Sequence, residues 1–297
     1  MKKIDIPVMV QSSASIANAA VVGPGSQPPD SDGVQMEFMD MPSGMTTFEA
    51  PIIPEPDEIE GLEAAIAMTE DMFTALNSYK IGEPARVIEL DHLDDKNRTF
   101  YNHLLGDGEV SVQCSGELKA KIQESVLAGV WRVQYLDEND NIIRDTMEIA
   151  GVPGLVSEMT FDGAAEELDV SQLKIPEDVY NAAPLLAEIS DKLPEFRDSG
   201  AVHVINLSLL PHTEEDIKYL SDSLGIGPVV ILSRGYGNCR ISSTKTKNVW
   251  WVQYFNSQDT LILNTLEISR VPEVACASQE DIEDSADRLD EILNIYR

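Results

Sequence analysis

A constant offset of 119 residues runs through this chain. "LGDGEV" (Leu105–Val110) returns as "LGIGPV" (Leu224–Val229). "VWRVQY" (Val130–Tyr135) returns as "VWWVQY" (Val249–Tyr254), and "TMEIAGVP" (Thr146–Pro153) as "TLEISRVP" (Thr265–Pro272). About a third of positions 105–153 are identical at this offset, with no gap. Such a repeat restricts the fold to one that a single module can build twice.

The module reads the same way in each copy. A helix ends at Leu-Gly-x-Gly, where the first glycine serves as C-cap. In the second copy Thr213 and Asp216 mark the start of that helix. "VHVINLSLL" before it is strand-like, and four strand-like runs follow, at about Val229–Ser233, Asn238–Lys245, Asn248–Phe255 and Thr260–Ile268. Their short connections predict antiparallel neighbours. The expected fold is therefore α+β: two duplicated β-α-β-β-β-β modules with antiparallel sheets, packed as a pseudo-dimer, plus flanking helices.

Apolar spacing predicts helices over about Glu58–Tyr79 and about Pro176–Leu193, with Pro184 a kink or a start. A last helix is capped by Ser278 and carries a stripe of Ile282, Leu289, Ile292 and Leu293. The expected domains are a poorly ordered segment over 1–56, a first module with its leading helix over 57–175, and a second module with leading and terminal helices over 176–297. Residues 1–56 mix Pro, Gly, Ser and Asp without periodicity before the methionine-rich "MEFMDMPSGM". That stretch reads either as a linker draped over the domain or as a partner-binding segment, since methionine adapts to many surfaces.

Fifty-two acidic residues against 21 basic give a formal charge of −31. A chain this acidic repels nucleic acid and anionic lipid; its charge reads either as a soluble, self-repelling surface or as a match to a basic polypeptide partner. Three widely spaced cysteines, Cys114, Cys239 and Cys276, fit a reducing compartment and offer no zinc-ribbon pair. Asp5, Gln11 and Ser12 interrupt any signal-peptide core, and no run approaches the ~20 apolar residues of a membrane helix. The expectation is a cytoplasmic protein.

The two copies differ most at "SRGYGNCRI" (Ser233–Ile241). Within Arg234–Arg240 only Gly235 has a counterpart, Gly116; Arg234, Tyr236, Gly237, Asn238, Cys239 and Arg240 are peculiar to the second copy. Strand alternation puts Trp250, Val252 and Tyr254 on a core face and Val249, Trp251 and Gln253 on the other. Trp251 replaces Arg132. A hairpin turning near Thr246–Lys247 sets Arg240 opposite Gln253 and Ser242 opposite Trp251, with Cys239 and Ile241 facing the core. The expected site is an outward recognition surface of Arg234, Tyr236, Asn238, Arg240 and Trp251. The competing reading of Trp251 is cover by a terminal helix. Cys239 reads as a small buried residue, or alternatively as a thiol activated by its arginine neighbours.

Catalytic signals are absent from the sequence. His92, His103, His203 and His212 form no metal-binding pair, "GYG" and "LGIG" lack the phosphate-loop and dinucleotide patterns, and no Gly-x-Ser-x-Gly elbow occurs. The expectation is a non-enzyme without cofactor or metal.

"ILSRGYGNCRI", "NVWWVQYFNS", "LILNTLEI" and "VPEVACA", with "MPSGMTTFEAPIIPEP" and "GVWRVQY" upstream, resemble the HupH/HyaF family of hydrogenase expression and formation proteins. The resemblance covers most of the chain from about Met41. It implies an accessory chaperone or scaffold for nickel–iron uptake hydrogenase, acting on the iron–sulfur small-subunit precursor before export, together with a thioredoxin-like factor. It carries no catalytic residue. An acidic body suits a precursor whose signal peptide bears paired arginines. The alternatives are a thiol-dependent redox factor using Cys239 and a metal or cluster carrier.

Overall fold

The computed structural model describes residues 60–235 and 237–297. The expectations for residues 1–59 and for Tyr236 lie outside the described residues.

Helix α1 (Glu63–Ser78) leads into β1 (Arg86–Glu89), α2 (Asp95–Leu105), β2 (Val110–Ser115), β3 (Lys119–Glu124), β4 (Val130–Leu136) and β5 (Ile142–Ile149). A short α3 (Gly154–Met159) and a long α4 (Ala182–Ser199) follow. Then come β6 (His203–Asn206), α5 (Glu214–Leu224), β7 (Val229–Ser233), β8 (Asn238–Ser243), β9 (Val249–Phe255), β10 (Leu261–Ile268) and α6 (Gln279–Leu293). Among the described residues this is an α+β chain with six helices around one ten-stranded sheet.

The strand order is β1-β5-β4-β3-β2-β7-β8-β9-β10-β6, every pair antiparallel. The sequence led us to expect two sheets packed together. Instead the halves share a single sheet, joined where β2 runs beside β7 with Val112 opposite Ile231. The join pairs two strands that would otherwise leave exposed edges, so it satisfies backbone groups that packing alone would leave bare.

Local sequence explains the element boundaries. Gly106 (φ 52°) and Gly225 (φ 67°) end α2 and α5 in a conformation that glycine adopts freely. The second glycine of each motif is needed for a different reason. Gly108 N–H donates to Glu124 O at 2.7 Å and Gly227 N–H to Ser243 O at 2.8 Å. A Cβ at either would run into the neighbouring strand. Thr213 with Asp216, and Ser278 with Asp281, form capping boxes at α5 and α6. Pro184 falls in the first turn of α4, where a missing N–H costs nothing. The left-handed residues also recur at the offset: Asp140 with Asp259, and Gly129 with Asn248.

Three cores hold the sheet. One face carries a single middle core that spans both halves and contains Trp131, Val133, Ile231, Ile241, Trp250 and Val252 under α3 and residues 271–275. The opposite face carries two separate cores. At one end α1 and α2 cover Val130, Met147 and Ile149; at the other α4 and α5 cover Val249, Trp251, Leu266 and Ile268. Helix α6 follows the second half in sequence yet packs Ile282, Ala286, Leu289 and Leu293 into the core of the first. Lys80–Glu283 (3.0 Å) and Arg297–Glu70 (2.8 Å) tie it to the region of α1.

Candidate functional site

Ser233–Ile241 is the β7–β8 hairpin. Arg234 N–H donates to Glu109 O at 3.0 Å, which extends the central seam by one rung. Gly237 takes φ 99° in the turn, and Asn238 Nδ2 lies 3.5 Å from Asp259 Oδ1. Arg240 lies opposite Gln253 and Ser242 opposite Trp251, the register expected from the sequence. Cys239 and Ile241 face the middle core.

The expected exposed arginine–tryptophan surface is not what the structure shows. Trp251 is 3% exposed and Arg240 8% exposed. Alternation does turn Trp251 away from the Trp250 core. That second face is covered too, so Trp251 enters the core under α4 and α5 rather than water. Its cover is α4 and α5, whereas the terminal helix packs on the first half. The Trp251 Nε1–H donates to Asn264 Oδ1 at 2.6 Å. Burial also pulls the Arg240 guanidinium below its ordinary range. Arg234 and Asn238 remain partly exposed at the turn.

The first half shows what Trp251 replaces. Arg132 Nε and Nη2 bind the Asp145 carboxylate at 3.0 and 2.6 Å, and its Nη1 donates to Asn102 Oδ1 on α2 at 2.6 Å. Asp145 and Asn264 are 119 residues apart, as are Arg132 and Trp251. A half-buried charged pair in one copy thus becomes a buried neutral pair in the other, with the donor kept on β4 or β9 and the acceptor on β5 or β10. The sequence reading missed Asp145 and Asn264. Applying the offset to the partners of Arg132 and Trp251 would have found both.

Cys239 is 2% exposed, and burial pushes its thiol up to about 12. It shares a hydrogen bond with Tyr254, which burial likewise pushes up to about 12; Glu267 is a neighbouring carboxyl, itself raised by burial. Burial also pushes Cys114 up to about 12 and Cys276 to about 11. None of these environments favours a thiolate, the form a nucleophile or metal ligand needs. Among the described residues no group of three or more His, Cys, Asp or Glu is placed to hold a metal ion, and no helix is long and apolar enough to cross a membrane.

The hairpin borders a strip of sheet between α2 and α5 whose side chains join none of the three cores. Ser111, Gln113, Lys121, Gln123 and Arg132 line a hollow of about 280 Å³ in its first half. Leu232 and Arg240 lie opposite one another in the second half.

This arrangement, a continuous antiparallel sheet with helices at each end of one face, defines the α+β class to which the chain belongs. The conserved C-terminal region of the HupH hydrogenase expression protein matches twice, over residues 62–173 and 179–296. The chain belongs to the HupH/HyaF family. It is 45% identical over 272 residues to the hydrogenase expression/formation protein HoxQ of Azotobacter vinelandii, covering 91% of this chain and 94% of that one. It is 40% identical over 278 residues to HupH of Rhodobacter capsulatus (93% and 96%), and 30% identical over 280 residues to the hydrogenase-1 operon protein HyaF of Escherichia coli K12 (92% and 94%). Among solved structures, the hydrogenase expression protein HupH from Thiobacillus denitrificans matches with a TM-score of 0.35 and 31% identity, over 38% of this chain and 93% of that one.

Proposed function

We propose that this protein is an accessory factor in hydrogenase maturation, a cytoplasmic chaperone or scaffold that holds the iron–sulfur small-subunit precursor of a nickel–iron uptake hydrogenase before export. The observation that carries the reading is near-full-length identity of 40–45% to hydrogenase expression/formation proteins. The high thiol pKa values support a binding role over a thiol-dependent one. The repeated element order supports a duplicated β-α-β-β-β-β unit fused edge to edge, with halves near 57–175 and 176–297. The partner contact proposed is the β7–β8 turn, where Arg234, Tyr236 and Asn238 are peculiar to the second copy; the buried Arg240 and Trp251 are left out of it. A thioredoxin-like maturation factor is the second partner proposed.

The test is capture. Tagged full-length protein is expressed with the hydrogenase operon, and retained proteins are identified with and without the small-subunit gene. The expected result is a 1:1 complex with the unprocessed precursor and loss of hydrogenase activity when this gene is deleted. Normal activity and precursor processing in the deletion strain would refute the proposal.

A further inference from the structure

The strip between α2 and α5 has a charge pattern opposite to that of the whole chain. On this face β2, β3, β4, β7, β8 and β9 present Lys119, Lys121, Arg132 and Arg240 and not one Asp or Glu. Arg234 stands where β7 enters its turn. Asp145 on β5 pairs with Arg132, and Asp140 lies 3.5 Å from Lys119. Lys119 and Arg132 are paired and Arg240 is buried, while Lys121 is exposed; in a chain with 52 acids and 21 bases, this face still carries more basic than acidic side chains. The strip is also partly apolar. Val230 (8% exposed) and Leu232 (5%) are as buried as core residues, yet neither belongs to any of the three cores. The counterparts Ser111 and Gln113 are more exposed.

A ligand matched to this strip combines carboxylates with apolar side chains. The chain carries such a ligand itself. Residues 30–59 contain eight acidic residues and no Lys or Arg, and Glu37 and Asp40 are interleaved with Met36, Phe38, Met39 and Met41. Between Lys3 and Lys80 no basic residue occurs at all. The segment joins the described fold at Glu60, whose carbonyl accepts from Lys96 at the start of α2. Helix α2 borders the strip through the bond of Asn102 to Arg132. At about 3.3 Å per extended residue, a 30-residue tether spans far more than the radius of gyration of about 18 Å expected for a fold of this size. We infer that residues 30–59 are a built-in acidic ligand of this basic strip.

The inference is tested on the full chain with a glutamate-specific protease, scoring cleavage after Glu37 and Glu49 against a synthetic peptide of residues 30–59. Cleavage in the protein is expected to be at least about tenfold slower at low salt. The protection should vanish at about 1 M NaCl, where charge pairing is screened. It should also vanish in a Lys121→Gln/Arg234→Gln chain. The Asp30→Asn/Asp32→Asn/Asp40→Asn chain, in which every residue of 60–297 is unchanged, should lose it too. Carbodiimide coupling in a mixture of ¹⁵N-labelled and unlabelled protein should link Lys121 to segment carboxylates within one chain. Peptide-like cleavage at low salt, protection that survives salt and both variants, or links between labelled and unlabelled chains would each overturn it. The maturation reading would be unaffected, because it rests on the relatives.

Discussion

Replacing Trp251 with phenylalanine removes one donor from a place where two buried polar groups satisfy each other. Trp251 and Asn264 are each 3% exposed, and the indole N–H reaches the amide oxygen at 2.6 Å. In Trp251→Phe the Asn264 oxygen loses its partner beneath α4 and α5, at a cost of about 1–3 kcal/mol. The smaller ring leaves a void worth about 1 kcal/mol more. The expected loss is thus about 2–4 kcal/mol, read as a lower urea midpoint with unchanged slope. Trp251→Arg should cost about 3–5 kcal/mol, because a guanidinium is buried beside a neutral amide. Adding Asn264→Asp recreates the chemistry of Arg132 and Asp145, and the double variant should regain at least about 1 kcal/mol of that loss. Midpoints within about 0.5 kcal/mol of wild type for Trp251→Phe, or no recovery in the double variant, would refute the equivalence of the two pairs.

Glu124 is buried, and desolvation pushes its carboxyl up to about 7, with Glu109 and Asp281 adding negative charge. The native state therefore holds a proton that the unfolded state releases near pH 4.3, so stability falls as pH rises from there towards 7; in Glu124→Gln that fall should shrink, giving a gain of about 1–3 kcal/mol at pH 8 by urea titration. Asp216 has the opposite sign. Burial opposes its ionisation but is outweighed by N–H donors from Thr213, Asn181, Ala182 and Tyr180, which hold its carboxyl below the usual range. Its stabilisation is present above pH ~3.9 and lost as pH falls through the lower native value, so Asp216→Asn should cost about 1–3 kcal/mol at pH 7 and less as pH falls through that value. Cys239→Ser should leave hydrogenase maturation in cells unchanged, and Cys239 in the native protein should react with iodoacetamide at least about tenfold slower than a free thiol.

Much of the second half was legible from local patterns. Thr213, Ser278 and the Leu-Gly-x-Gly motifs fixed helix ends because capping is settled within four residues. The β8–β9 register followed from alternation and a short turn. Trp251 shows where that reasoning stops. Alternation assigns a side chain to one of two faces, but cover for that face comes from α4 and α5, distant in sequence. Its counterpart Arg132 suggested a wet surface, although Arg132 is itself held by a buried aspartate across the hairpin. The β2–β7 seam was illegible because an edge strand gives no sign of which other edge it will meet. In the same way, the apolar stripe of α6 announced burial without naming the core that receives it.

That last contact has a consequence for synthesis. A ribosome releases the first half's strands and helices long before it polymerises the fifteen residues of α6. Until Ile282, Leu289 and Leu293 emerge, the nascent amino-terminal portion has an open flank at Gly129, Leu127 and Met72, so co-translational folding cannot finish there on its own. The turns of α6 act as the latch on the first half, and a ribosome stalled before them leaves that core without its cover.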